Sequence, residues 1–328
     1  MENNSNNLTE STGFIKPHPT WSILDSSKMQ ELMTCPRKYF YRYILGWTQD
    51  IPNIHIAFGS AWHCAMEQLL IKGYGSDGII AGIDAFNTEF SKKYACGPLE
   101  PSSPKSNADI PAALCAYTER YKNDREQTLF TEIAGTVPIG PERVLHFRLD
   151  SILKDERERF LSREHKTGSR NDRSWQDQWS LSLQIFGYLH VLYCLYEPEQ
   201  VYGVTVNGTF FQKSGCDFMR IPIRKNVDML NAWLYEINHY IDLLEMYQEE
   251  LEGASPQDQI LTTFPKNTTN CTKYFGCPYL AMCSSWANPL AHCSAGPPPG
   301  FKVEWWDPSS YTDVKTVFNL EKSQEPLQ

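Results

Sequence analysis

The spacing of hydrophobic positions predicts that the chain begins with helices. Apolar residues recur at intervals of three and four over residues 26–44, 58–71, 79–94 and 110–125, which is typical of amphipathic helices. Pro36 can kink the first of these helices or split it in two. Residues 96–109 are rich in Pro and Ser and predict a loop.

From Thr128 onward the pattern changes to alternation with β-branched residues, which is typical of strands. Three strands are predicted as a meander at residues 128–139, 142–155 and 157–167. A long helix follows at 175–196, then a hairpin around Lys213-Ser214-Gly215 within 201–223, and a further helix at 227–251. This order predicts an α/β fold in which a mixed core follows a helical N-terminal region. We expect a flexible N-terminus at residues 1–20, one domain over 21–293, and an extended C-terminal tail at 294–328.

Composition narrows the class of protein. Hydrophobic residues make up 41% and aromatic residues 13% of the 328 residues, which suits a packed core and excludes wholesale disorder. No apolar run has the length of a membrane span. The net charge of −9 excludes a uniformly basic surface, although a local basic channel remains compatible with it. Ten cysteines without a secretory signal indicate a reducing compartment, so we expect a cytoplasmic protein.

Two carboxylates and one ammonium group fall on adjacent predicted strands. Asp150 ends one strand, and Glu164 and Lys166 share a face of the next because alternate side chains point the same way. Carboxylate oxygens suit Mg²⁺ or Mn²⁺, and a nearby lysine can orient a water molecule or offset negative charge. Such a set can hydrolyse phosphodiester bonds. The ordinary alternative for a single match of this kind is a surface ion pair on a solvated strand.

Two further sets of residues at helical spacing favour the catalytic interpretation. Gly59, His63 and Glu67 recur every four residues on one helix, where His63 can supply a nitrogen ligand. Gln184 and Tyr188 share a face of the helix that follows the Glu-x-Lys strand, and they can hold the lysine or bind the substrate backbone. Each set in isolation also fits an ordinary amphipathic helix.

Cysteines near the C-terminus form a third unusual feature. Cys271, Cys277 and Cys283 are evenly spaced, and a zinc site or an iron–sulfur cluster generally needs a fourth ligand. Sequence spacing alone favours Cys293, while Cys35 can serve if the first helix packs against the C-terminal segment. Five other cysteines are scattered singly and are expected to fill the core; they are Cys64, Cys96, Cys115, Cys194 and Cys216.

Together these motifs resemble the PD-(D/E)XK nuclease superfamily, and most closely its RecB-like and AddB-like exonuclease branch. The matching segments are FGSAWHCAME, FRLDSIL, SREHKTG and SLQIFGYLH, in the order typical of that branch. The opening helix, SSKMQELMTCPRKYFYRYI, is similar to the first helix of the branch. The resemblance implies a restriction-endonuclease-like core with a mixed central sheet flanked by helices.

The resemblance also implies a role for each matching residue. His63, Asp150, Glu164 and the backbone carbonyl of His165 would bind Mg²⁺ or Mn²⁺. Lys166 would be the catalytic lysine, and Gln184 and Tyr188 would support the site. Relatives with an iron–sulfur cluster place one cysteine far upstream, so a [4Fe–4S] cluster would join four residues and hold both ends of the domain together: Cys35, Cys271, Cys277 and Cys283. Zinc is the alternative occupant.

Substrate contacts are less specific. Arg163, Arg170 and Arg173 make the region of the catalytic strand basic and can contact phosphates. Trp175 and Trp179 can stack on bases, although we favour core packing for both.

The sequence therefore favours a metal-dependent DNA exonuclease that acts on single strands or duplex ends in recombination, repair or end processing. No Walker motif is present, so a helicase or recombinase would be a separate partner. The alternatives are a noncatalytic DNA-binding subunit stabilised by a cluster or zinc, and a structure-specific endonuclease. A lone nuclease of this size suits a prokaryotic or phage-infected cell.

Overall fold

The computed structural model describes residues 13–95, 97, 103–273, 276–310 and 314–320. The chain divides into two compact units, one formed by residues 1–50 and 235–308 and the other by residues 51–234 and 309–328. Much of the expected flexible N-terminus, together with parts of the expected loop at 96–109 and of the C-terminal tail, lies outside the described residues. None of the described helices combines the length and apolar character needed to cross a membrane.

The elements are numbered in chain order. The helices are α1 Ser26–Thr34, α2 Pro36–Tyr39, α3 Ile54–Lys72, α4 Ser76–Tyr94, α5 Ile110–Tyr121, α6 Arg173–Asp177, α7 Leu183–Leu195, α8 Val227–Glu252, α9 Leu280–Ser285 and α10 Leu290–Cys293. The strands are β1 Trp47–Gln49, β2 Gln127–Pro138, β3 Val144–Lys154, β4 Phe160–Gly168, β5 Val201–Gln212, β6 Gly215–Ile223, β7 Phe301–Val303 and β8 Thr316–Asn319.

A mixed sheet forms the centre of the unit containing residues 51–234. Across the described residues its six strands lie in the order β6-β5-β4-β3-β2-β8. The predicted meander of β2, β3 and β4 is antiparallel, and the predicted hairpin of β5 and β6 closes through Lys213 and Ser214. β5 runs parallel to β4 after a crossover through α7. This arrangement confirms the predicted α/β class and is consistent with a restriction-endonuclease-like core.

Helices cover both faces of this sheet. Lys166 of β4 contacts Gln184 of α7, whereas the next residue, Thr167, lies beside Gly59 of α3. Because neighbouring residues of a strand point to opposite faces, α7 and α3 lie on opposite sides. On the α3 side, one apolar core joins α3, α4 and α5 to Phe211 of β5. On the other side, α7 is buried around almost its whole circumference.

The helix boundaries show what the hydrophobic pattern missed. The first predicted helix splits at Cys35, as Pro36 allowed, and α3 begins early because the Asn53 side chain caps it by accepting the His55 N–H at 2.8 Å. The single helix predicted over 175–196 is wrong, because it is two helices, α6 and α7. Ser180 and Ser182 separate them with turn-type hydrogen bonds, in keeping with the low helix preference of serine.

The unit formed by residues 1–50 and 235–308 brings the first helices against the later segment of the chain. The buried Arg37 guanidinium donates to the Phe264 carbonyl at 2.8 Å and to the Leu261 carbonyl at 3.2 Å. Tyr39 and Phe40 pack against the ring of Phe264. Short strands β1 and β7 pair within the same unit, so part of the expected extended tail is a strand.

Gly135 shows how closely β8 approaches β2. A Cβ added at Gly135 would lie 1.7 Å from the Phe318 carbonyl oxygen, so any side chain there must displace β8. We expect Gly135→Ala to lower the free energy of unfolding by about 1–3 kcal/mol, the usual cost of overpacking. Chemical denaturation measures this change.

Gly187→Ala is the matched control, since its Cβ would meet Leu145 and Trp233 at 3.9 Å, an ordinary contact. In helix α7 the alanine should leave stability unchanged or raise it by up to about 1 kcal/mol. Equal effects of the two substitutions would contradict the close approach of β8.

Candidate functional site

The candidate site lies where β3 and β4 separate. Their antiparallel ladder covers residues 152–154 and 160–162, and Asp150 and Glu164 lie two residues beyond its end. There the Asp150 Oδ2 accepts the main-chain N–H of His165 at 2.8 Å. The Asp150 carboxylate therefore fixes the backbone of β4 between Glu164 and Lys166, which brings the predicted acids and the lysine together.

His63 completes one side of this arrangement. Its Nδ1 lies 3.1 Å from the Asp150 Oδ1, so α3 and β3 meet through this pair. Burial alone would raise the pKa of Asp150, but His63 and the His165 N–H hold it well below its ordinary value. Burial would likewise lower the pKa of His63, and the charge of Asp150 instead raises it. Each residue of the pair therefore stabilises the charged form of the other.

Glu164 is the most buried acid of the set, with a side chain only 2% exposed. Its Oε1 lies 2.6 Å from the Lys166 Nζ, while its Oε2 is buried without a hydrogen-bond partner among the described residues. Burial, together with the nearby charge of Asp150, raises the pKa of Glu164 to about 7 against the opposing effect of Lys166. An open carboxylate oxygen beside a second carboxylate favours a bound cation.

Lys166 is held by a chain of hydrogen bonds from α7. Its Nζ donates to the Gln184 Oε1 at 2.8 Å, and the Gln184 Nε2 donates to the Tyr188 Oη at 2.7 Å. The ammonium also lies 5.7 Å from the centre of the Trp179 ring. Gln184 therefore positions the Lys166 ammonium, and Tyr188 positions Gln184.

The ring of His165 lies on the face of β4 opposite Glu164 and Lys166, with its centre 6.2 Å from that of the His63 ring. Its Nδ1 accepts a hydrogen bond from the Asn207 Nδ2 at 2.8 Å on the neighbouring strand β5. Burial lowers the pKa of His165 to about 3, so its ring is neutral. The contribution of His165 to the site is made by its main chain.

Glu132 is a candidate residue that the sequence reasoning missed. It lies opposite Asp150 on β2, is 7% exposed, and has a left-handed φ of +46°, which is unfavourable for a non-glycine residue. Burial and the charge of Asp150 raise its pKa, and Arg148 pairs with it at 2.6 Å. The available signal was a single charged residue within a strand of apolar and uncharged polar residues.

Other predicted contacts have structural roles. Glu67 accepts from the Thr131 hydroxyl at 2.9 Å and pairs with Lys315. Arg163 does not face solvent as expected for a phosphate contact; it is 2% exposed and pairs with Glu126 at 2.8 Å. Trp175 packs against Phe210 within the protein, as favoured from the sequence.

Four cysteines lie near one another in the unit formed by residues 1–50 and 235–308. Cys35 Sγ accepts the Asn267 N–H at 3.3 Å, and the Cys277 N–H donates to the Cys271 carbonyl at 2.8 Å. Burial raises the pKa of the Cys277 thiol, and the nearby Cys271 and Cys35 raise it further. Burial also raises the pKa of the Cys283 thiol, and the nearby Cys277 and Cys35 raise it further.

Cys293 lies in the same unit, but its thiol has a different environment. Burial alone raises the pKa of Cys293 to about 12, and its thiol donates to the Pro289 carbonyl at 3.4 Å. Cys115 is exposed, which corrects the expectation that it fills the core, and Cys96 lies outside the described residues.

Neither group forms a complete metal site in the part of the chain that the structure describes, where no three His, Cys, Asp or Glu side chains are grouped closely enough to hold an ion. The donor chemistry nevertheless fits. Asp150 and Glu164 provide hard oxygen donors of the kind Mg²⁺ and Mn²⁺ prefer, and the free Oε2 of Glu164 is available. The cysteines provide the thiolates that zinc or an iron–sulfur cluster requires.

Comparison with protein-family models matches most of the chain. Residues 25–284 match the family described as the PD-(D/E)XK nuclease superfamily. The chain therefore belongs to the PD-(D/E)XK nuclease superfamily, whose members are generally nucleases and usually use divalent metal ions.

The other comparisons add little. A search of curated proteins gave no match. Among solved structures, the crystal structure of SSO0001 is 13% identical, with 66% of this chain and 74% of that chain covered and a TM-score of 0.29. This similarity is too weak to support a conclusion about the fold or the function of the chain.

The open Glu164 oxygen generates a prediction about metal binding. We expect Mn²⁺ to raise the thermal unfolding midpoint, because an ion that binds only the folded chain stabilises it by about 2.7 kcal/mol at 100 times its Kd. Glu164→Gln should remove most of this shift, as measured by differential scanning calorimetry. The control is Glu158→Gln, since Glu158 is 74% exposed on the turn between β3 and β4. An equal shift in Glu164→Gln and the wild type would exclude Glu164 as a ligand.

Proposed function

We propose that the chain is an Mg²⁺- or Mn²⁺-dependent deoxyribonuclease of the RecB-like and AddB-like branch, acting as an exonuclease. The observation that carries this proposal is the buried Glu164 carboxylate, with one oxygen on Lys166 and the other free beside Asp150. We further propose that it acts on single strands or duplex ends in DNA recombination, repair or end processing.

Each residue of the site has a distinct part in this proposal. His63, Asp150, Glu164 and the His165 backbone carbonyl would hold the metal, which when bound acidifies water and polarises the phosphate. Lys166, fixed between Glu164 and Gln184, would place its ammonium against the attacking water or the charge developing on the phosphate oxygens.

The cysteine group supports a second part of the proposal. We propose that Cys35, Cys271, Cys277 and Cys283 bind a [4Fe–4S] cluster with a structural role, zinc being the alternative. Cys35 contributes to the raised pKa of both the Cys277 and the Cys283 thiol, whereas burial alone accounts for Cys293, and this supports Cys35 over Cys293 as the fourth ligand. The nine described cysteines are free thiols, which supports a cytoplasmic location in a prokaryotic or phage-infected cell.

Two other functions compete with the exonuclease. A noncatalytic DNA-binding subunit would need neither the lysine nor the free carboxylate oxygen, so the intact Glu164–Lys166–Gln184 chain favours catalysis. A structure-specific endonuclease would use the same site, and only its products differ. A helicase or recombinase partner is compatible with all three.

The catalytic proposal is tested with end-labelled single- and double-stranded DNA in Mg²⁺ or Mn²⁺. We expect Glu164→Gln and Lys166→Met each to lower the cleavage rate by roughly 100-fold or more, because each removes a group acting on the reacting phosphate. Glu158→Gln and Lys122→Met are the matched controls; both side chains are mostly exposed, and both should leave the rate unchanged.

The products separate the three functions. A circular single strand should resist an exonuclease and be cut by an endonuclease. Binding without cleavage would indicate the noncatalytic subunit, and activity that survives both site substitutions would exclude the proposed site.

The cluster proposal is tested by iron, sulfide and zinc analysis of protein purified without oxygen. We expect about four iron and four sulfide per chain in the wild type and in Cys293→Ser, and a loss of most of both in Cys35→Ser. Zinc without sulfide would identify the alternative occupant. Equal cluster content in Cys35→Ser and the wild type would refute the choice of Cys35.

A further inference from the structure

Cationic side chains near the candidate site are mostly paired with acids. Lys166 pairs with Glu164, Arg148 with Glu132, and Lys315 with Glu67. These pairs leave little free positive charge for a polyanion in a protein whose net charge is −9. DNA binding nevertheless depends on contacts between cations and phosphates.

Lys105 differs from these cations. It lies on the short 3-10 turn Pro104–Asn107, and its Nζ donates to the Thr167 hydroxyl at 2.9 Å. The ammonium also lies 5.2 Å from the centre of the Phe58 ring. Within the described part of the chain no carboxylate pairs with it, and burial lowers its pKa to about 8.

The position of Lys105 relates it to the candidate site. Thr167 directly follows Lys166 on β4, and it lies beside Gly59 of α3. His63 is four residues beyond Gly59, which is about one helical turn, or 5.4 Å along the axis. The Lys105 ammonium is therefore at the same end of β4 as Lys166, on the α3 side of the sheet, from which His63 reaches Asp150 at 3.1 Å.

We infer that Lys105 binds the phosphate of the DNA strand next to the phosphate that is cut. An ammonium group has three donors, and Thr167 accepts only one, so two can bind phosphate oxygens. An anion would also offset the cost of burying an ammonium between a hydroxyl and an aromatic ring. This inference rests on the proposed nuclease function.

The test measures binding separately from cleavage. A fluorescent single-stranded oligonucleotide is titrated without divalent metal at several salt concentrations, using the wild type, Lys105→Gln and Lys105→Arg. We expect Lys105→Gln to weaken binding roughly tenfold and to reduce the slope of log K against log salt by about 0.7, the value for one phosphate contact on a single strand. Lys105→Arg should keep the slope because it keeps the charge.

Lys122→Gln is the control, because Lys122 is exposed and paired with Glu119. A second measurement replaces single phosphates with neutral methylphosphonates and follows KM and kcat. At one position flanking the cut, the methylphosphonate should raise the KM of the wild type but cause no further rise in the KM of Lys105→Gln. The change in kcat should be small by comparison.

The outcomes distinguish this inference from the function on which it rests. If the wild type neither binds nor cuts DNA, the proposed function fails, and the inference fails with it. If the wild type cuts DNA while Lys105→Gln keeps the full salt slope, only the inference is overturned. A lower unfolding midpoint in Lys105→Gln with unchanged slope and methylphosphonate response would assign Lys105 a purely structural role and also overturn it.

Discussion

Two carboxylates held close together in a largely buried setting are the constraint on which the rest of the candidate site depends. Asp150 and Glu164 repel each other, and burial makes that repulsion stronger than it would be in water. His63 and the His165 N–H stabilise the charge on Asp150, while Lys166 stabilises Glu164. These partners come from α3 and β4, so the acids can remain together only when the helix and the strand are both in place. The same repulsion makes the pair a suitable site for a divalent cation.

Strand β4 connects the site to the interior because its two faces have different partners. Glu164 and Lys166 face α7, while the ring of His165 faces a buried polar network on the α3 side. In that network Asn207 donates to both His165 and the Tyr117 hydroxyl and accepts from Arg220 at 3.1 Å. His165 is therefore fixed on the α3 side of β4, which limits the movement of Glu164 and Lys166 on either side of it in the strand. A site built on a buried strand in this way is more rigid than one built on a loop.

The order of the elements and the main site residues could be predicted from the sequence, because they depend on local periodicity and on motif order. The hairpin at Lys213 and Ser214 and the meander of β2 to β4 follow from alternation alone. Glu132 could not be found in this way, since its importance comes from lying opposite Asp150 on a neighbouring strand. The break between α6 and α7 was missed because apolar spacing continues through Ser180 and Ser182. Arg163 was misplaced because a charged residue in a strand gives no sign that half-buried acids from another segment will pair with it.

The contact between β8 and β2 has a consequence for the solubility of the folded chain. A strand at the edge of a sheet exposes unpaired main-chain groups, which can recruit a strand from another molecule. Thr316–Asn319 pairs in parallel with residues 133–136 of β2, so this short segment shields the strand that carries Glu132. The four-residue strand β8 therefore covers part of the longer strand β2, and its detachment would expose a longer row of unpaired main-chain groups at the edge of the sheet.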